Sequence, residues 1–256
     1  GSRFRFAPRS SKSFMGAMTT FQFRSWCPGP ILTSMNTTAT EPEAEILVTG
    51  ATGFIGRWLL AALTRRGRRV AALVRGADRR AAELEAFVRR LGGDPSRLEV
   101  VEGDVEKDGL GLDRDLPRVR VVYHLAARFA FGLTVEEARR ANVDGTRRVL
   151  EWAASRPALE RFVFLGGYRM SRVDVASLDE AAIQERYAVG AYAGSKYEAF
   201  ALFRKIARER GIPWTAVHPS AVIGDSRRGE TMQTVGLFEP VKRLFQGTLP
   251  PLVGSP

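Results

Sequence analysis

The chain has 256 residues, 45% hydrophobic and 26% charged, which is enough for one sizeable core, and no apolar run reaches the ~20 residues of a membrane span. A single cysteine, Cys27, excludes an internal disulfide framework and fits a reducing, cytoplasmic setting. The net charge is +11, of which Arg3, Arg5, Arg9, Lys12 and Arg24 supply five in the acid-free first 40 residues; no compact basic stripe with interleaved aromatics follows, so nucleic acid is not an expected partner.

Residues 1–44 show no helical or strand periodicity and read as a disordered leader, with Gly1-Ser2 as a cloning remnant, expected to contribute little to the fold. From Glu45 strand-like and helix-like stretches alternate up to about residue 232. "EILVTG" reads as a strand, 54–66 as a helix, "RRVAALVR" as a strand and 78–91 as a helix. "RLEVVEG" and "VRVVYHLAA" follow as strands, then a helix over 135–154, the strand "RFVFL", a helix over 192–210 and the strand "PWTAVHP". Apolar runs without alternation mark strands buried on both faces, and repeated strand–helix units predict a doubly wound parallel α/β sheet, Rossmann-like.

The first strand runs into Gly50, Gly53 and Gly56 before an amphipathic helix. In that context a glycine turn lets backbone N–H groups and the helix N-terminus approach a pyrophosphate. An NAD site usually keeps an acid at the end of the second strand to accept from the ribose 2′-OH. Arg75 stands there instead, with Arg79 and Arg80 nearby; a guanidinium suits a 2′-phosphate, so NADP is the expected cofactor.

Further on, "YAGSK" places Tyr192 and Lys196 four apart on one helix face. An ammonium so placed is expected to lower the phenol's pKa, and the phenol can then donate a proton to a carbonyl oxygen as hydride reaches carbon. His124 and His218 read as packed strand-end histidines. Neither has an acid or a second histidine at ligand spacing, and no metal site is expected.

Taken together, "TGATGFIG", "GDV" at 103–105, "HLAA" at 124–127, "NVDGT" at 142–146, "YAGSK" at 192–196 and "HPSAVIGDS" at 218–226 resemble the extended short-chain dehydrogenase/reductase superfamily, in its order and spacing. "GDVEKDGLGL" and "VIGDSRRGE" look most like its fatty-acyl and thioester reductase branch, which reduces acyl thioesters or related carbonyl compounds with NADPH. The resemblance implies that Thr52, Phe54 and Ile55 join the three glycines around the cofactor. It implies that Asp104 and Val105 contact the adenine, that Ala126 and Ala127 lie by the cofactor's middle, and that Pro219 and Ser220 lie near the nicotinamide. Asn142 would bend its helix and support Lys196 through water. Residues 233–256 look like the entry into the branch's substrate-binding region.

One position departs from the pattern. The family's strand before the Tyr-Lys helix ends in a hydroxyl that orients the substrate oxygen, and here that end is Gly166-Gly167, with Gly167 at the hydroxyl's place. Tyr168 or Ser171 could lend a hydroxyl if the turn folds back, which the glycines permit. Loss of one donor typically costs about 10²–10³ in rate. The leading expectation is an NADP-dependent oxidoreductase acting on a small-molecule carbonyl or acyl thioester, with no membrane partner. The alternatives are a nucleotide-sugar epimerase or dehydratase of the same superfamily, and a catalytically impaired NADP-binding sensor or partner protein.

Overall fold

The computed structural model describes residues 43–130, 132–167, 170, 179–232 and 238–248. Six strands form one sheet: β1 (Ile46–Thr49), β2 (Val70–Val74), β3 (Leu98–Glu102), β4 (Val121–His124), β5 (Arg161–Leu165) and β6 (Trp214–Val217). Every pairing is parallel and the order across the sheet is β3-β2-β1-β4-β5-β6. This is the doubly wound sheet that the alternation of strands and helices predicts. Its strand order reverses between β1 and β4, and sheets of this type bind ligands beyond the carboxyl ends of the strands at that point.

The apolar runs are explained by burial on both faces. In β1 all four residues are buried. Ile46 and Val48 join Leu60, Leu84 and Val88 from α1 (Phe54–Arg65) and α2 (Ala77–Arg90). Leu47 belongs to the opposite layer, with Leu150, Phe162, Phe164, Phe200 and Phe203. Each such side chain contributes about 1.5–3 kcal/mol through burial. Alternating polar residues would forfeit half of that in β1 and β2, which are buried along their whole length, whereas the part-exposed β3 carries Glu99 and Glu102.

Two helices depart from the expected layout. The stretch 135–154 is helical throughout, as α3 (Val135–Ala138) and α4 (Gly145–Ala154), but the turn between them, Arg139–Asp144, is π-helical. Before α6 (Ala191–Glu209) lies α5 (Glu180–Val189), absent from the sequence reading. Its signals are punctuation alone: Asp179 caps it by accepting from Ala182 N at 2.8 Å, and Gly190 ends it. Ile183 is its one buried residue, so no apolar stripe announces it. A last helix, α7 (Phe238–Phe245), lies in the stretch expected to begin the substrate-binding region. Among the described residues no helix is long and apolar enough to cross a membrane. Of the expected leader only Glu43 and Ala44 are described, and Ala44 is buried against the core. Tyr168 and Ser171, the two candidate hydroxyls, lie outside the described residues.

Candidate active site

The turn after β1 is shaped by what a side chain would hit. Gly50 has φ +70°, and a Cβ there would stand 2.6 Å from Ala126 N, two residues beyond the neighbouring β4. A Cβ on Gly56 would collide with the carbonyl oxygen of Gly50. The backbone of the turn therefore packs against both its own helix and the next strand, as only glycine allows. Gly53 begins α1 with no side-chain cap, and the first turn of α1 has no acid. Its leading N–H groups are available to an anion, and the glycines form a cradle that side chains would fill, so the residues fit a dinucleotide pyrophosphate. Arg57, buried in that first turn, holds the cradle from behind: its Nε donates to Thr52 O at 2.9 Å and its Nη1 pairs with Glu83 of α2 at 2.6 Å. Sequence reasoning missed Arg57 because arginine is so frequent in this chain.

A crevice of about 550 Å³ opens there. Gly50, Thr52, Gly53, Arg75, Asp104, Val105, Ala126 and Ala127 all line it. The structure thus gathers eight expected cofactor residues, from the ends of four strands, around one space. Phe54 and Ile55 continue into α1, where Phe54 packs edge-on against Trp58 at 5.0 Å. Asp104 also serves its own loop: Oδ1 accepts from Glu106 N at 2.9 Å. In the same loop Leu110 takes φ +64°, rare for a non-glycine, and its carbonyl accepts from Asp104 N at 2.7 Å.

Tyr192 stands in the first turn of α6 and meets Phe129, a lining residue of the crevice, edge-on at 4.7 Å. Lys196, one turn on, donates from Nζ to Leu165 O at 2.9 Å and lies over the Phe164 ring at 5.0 Å. Burial lowers its pKa to about 8. The expected lowering of the tyrosine pKa is not what the structure shows. Burial raises the Tyr192 pKa, because the ammonium is directed to the strand carbonyl and leaves desolvation unopposed.

Asn142 sits, buried, in the π-helical turn of the helix that the resemblance expects it to bend. Its Nδ2 donates to Ser195 Oγ, next to Lys196 in the chain, at 2.9 Å and its Oδ1 accepts from Arg128 N at 2.7 Å. Asn142 thereby ties the crevice loop to α6 beside Tyr192. Its carbonyl accepts from Thr146 Oγ1 at 2.6 Å. Thr146 in turn contacts His124 Nε2 at 2.9 Å, and Thr49 Oγ1 contacts His124 Nδ1 at 2.8 Å. Since Thr146 donates to Asn142, its oxygen accepts from Nε2–H, and Nδ1 accepts from Thr49. The buried imidazole is neutral, with its pKa lowered to about 3 by burial and then by the Lys196 charge. His124 is the packed strand-end histidine that the sequence predicts.

The glycine pair has a physical explanation at one position. A Cβ on Gly166 would collide with the His218 imidazole, whereas among the described residues a Cβ on Gly167 would meet only Met170 Cε, at 3.9 Å. His218 packs edge-on against Phe200 at 5.1 Å, and its buried Nδ1 has no hydrogen-bond partner among the described residues. Burial and then Lys196 hold its pKa below the usual range, opposed by the Gly167 backbone. Pro219 and Ser220 follow directly after it, Ser220 exposed.

A family model for an NAD-binding family, described as "Male sterility protein", matches residues 48–255. The chain belongs to that family. Among the relatives of this male-sterility-type chain, the NRPS-like oxidoreductase fscA of Fusarium equiseti is 30% identical over 204 residues, 73% of this chain and 19% of that protein. The terminal R domain from the myxalamid PKS-NRPS biosynthetic pathway superposes with a TM-score of 0.58 at 30% identity, over 72% of this chain and 50% of that one. Gre2 from Candida albicans, in complex with NADPH, gives a TM-score of 0.58 at 25% identity, over 76% and 62%. The male-sterility-type chain therefore spans about a fifth of the fungal oxidoreductase and half of the R domain. These relatives bear out the thioester-reductase-like branch and the short-chain reductase fold.

Proposed function

We propose that the chain is an NADP-dependent reductase of the thioester-reductase type, acting in the cytoplasm on a small-molecule carbonyl or acyl thioester. The observation that carries this reading is one crevice that is lined by an uncapped, glycine-rich helix N-terminus and by Phe129, against which Tyr192 packs edge-on. The relatives support it: one is named an oxidoreductase and another is solved with NADPH. When bound, the dinucleotide supplies hydride to the substrate carbon. Gly50, Thr52, Gly53, Asp104, Val105, Ala126 and Ala127 hold and orient it, and Arg75, exposed at the rim, favours NADPH over NADH.

Tyr192, kept protonated by its burial, donates to the substrate oxygen. Lys196 shares that helix face and, turned from Leu165 O, offsets the charge left on the phenolate. Asn142 positions Tyr192 indirectly, through Ser195 and the Arg128 backbone. A second reading, an NADP-binding sensor without turnover, is favoured by one observation: Lys196 is engaged by Leu165 O, away from the phenol.

The deciding experiment compares wild type with Tyr192→Phe. Reduction of a panel of aldehydes and acyl thioesters, followed by NADPH consumption, should fall by about 10²–10⁴ in the variant, with NADPH affinity unchanged. Turnover at the wild-type rate in the variant would refute Tyr192 as the donor. Tight NADPH binding with no turnover of any substrate by wild type would establish the sensor.

A further inference from the structure

The acid that an NAD site keeps at the end of its second strand is replaced by Arg75, but the neighbouring strand delivers a carboxylate to the same place. Glu102, the last residue of β3, is in register with Val74 at the end of β2. Its side chain reaches across to the start of α2, where Gly76 N donates to Oε1 at 3.2 Å and Ala77 N donates to Oε2 at 2.7 Å. Those N–H groups are among the four that every helix leaves unsatisfied at its beginning. Arg79 folds back over Gly76, its Nη2 3.0 Å from where a Cβ would stand. The two backbone donors, then Lys107 and Arg79, hold the Glu102 carboxyl below the usual range, so it is ionised at neutral pH. The start of α1, at the crevice, and that of α2, whose cap Gly76 is one residue past the lining Arg75, thus differ. α1 has neither a side-chain cap nor an acid in its first turn, while α2 already holds an anion.

We infer that Glu102 sets the dinucleotide selectivity: its carboxylate occupies the anion-binding edge of α2 between Arg75 and Arg79, where a 2′-phosphate would be anchored, and so narrows the preference for NADPH over NADH. A cofactor ending in a ribose hydroxyl brings no charge to that edge, whereas a 2′-phosphate brings like charge against the carboxylate. Arg75 and Arg79 attract the phosphate, Glu102 repels it, and the net preference is the difference. This inference rests on the cofactor reading above and deepens it. A purely structural cap would act on both dinucleotides alike, because it would change only the stability of α2.

The test is fluorescence titration of wild type and Glu102→Gln with NADPH and NADH, checked by competition with 2′,5′-ADP and 5′-AMP. Glutamine keeps one acceptor for α2 and removes the charge. The NADPH Kd should fall about threefold to tenfold, with the NADH Kd within about twofold of wild type, as expected for losing one screened like-charge contact. Glu102→Asp, which keeps the charge but is one methylene shorter, should move the ratio less and in the same direction, and provides the comparison if the glutamine variant does not fold. An unchanged ratio in folded variants overturns the inference and leaves Glu102 a helix cap. Weaker NADH binding in Glu102→Gln also overturns it, by assigning the carboxylate to the ribose hydroxyls. Wild type that binds neither dinucleotide refutes the cofactor reading, and this inference with it. Wild type that binds both, with a ratio that Glu102→Gln does not move, refutes this inference alone.

Discussion

At Gly166 the space a side chain would need is filled by the His218 imidazole, while at Gly167, among the described residues, it meets only Met170 Cε at 3.9 Å. The two adjacent glycines therefore predict opposite outcomes for the same substitution. Gly166→Ser forces the imidazole or the strand end to move and should cost about 1–3 kcal/mol in urea unfolding, as overpacking does. Gly167→Ser should stay within about 0.5 kcal/mol of wild type. If the chain is a reductase, the serine at 167 should hold or raise its rate, because it restores a donor where the family keeps one. A Gly166→Ser variant as stable as wild type would show that the imidazole yields freely. From the sequence the pair looks like one departure from a pattern. The reason for the first glycine is a ring 52 positions away, and spacing along a strand carries no information about that.

Among the elements, α5 and α6 show the same limit. Tyr187 of α5 donates to Glu198 Oε2, Arg139 of the π-helical turn pairs with Glu198 Oε1 at 2.7 Å, and the Tyr187 ring covers Gly194. Three elements are thus clamped beside Tyr192, around a glycine that sits inside the "YAGSK" stretch. Gly194→Ala would drive a methyl into the tyrosine ring, outweighing alanine's better helix propensity, and should lower stability by about 1–3 kcal/mol. Amide exchange along residues 180–189 should quicken in that variant more than along β1; uniform change would mean that Tyr187 is not the contact that matters. The strands and the glycine turn were legible because their signals, continuous apolar runs and glycines between strand and helix, are local. The α5 helix was not, because it buries a single residue. The direction of Lys196 was not either, because it depends on a carbonyl of β5 that helical periodicity does not reveal. The acid at β3 escaped for a similar reason: the expected position was read along β2, and the side chain arrives from the next strand.

Over the whole molecule, His124 makes stability depend on pH. Its folded pKa of about 3 lies below the ordinary 6.5, so the unfolded chain binds the proton that the folded one refuses. The contribution is complete above about 6.5 and is lost as the pH falls toward 3. Between pH 6.5 and 5, urea unfolding should show a loss approaching about 1.4 kcal/mol per pH unit, and His124→Asn should flatten that slope. An equal slope in the variant would assign the acid sensitivity to other groups.

The position of that histidine has a wider consequence. Strands β1 to β3 come from one unbroken stretch of chain and β4 to β6 from the next, and among the described residues the ladder joining the two halves runs from Ile46↔Val121 to Thr49↔His124. The sheet is in effect two consecutive three-stranded pieces sewn along a single seam, with Thr49 and His124 as its last stitch. During synthesis the first piece can be complete before the second has begun, and the crevice comes into being only when the seam closes. Gly50 and Ala126 face each other across its end, so a dinucleotide lying there would touch both pieces and bind only a chain whose halves have met.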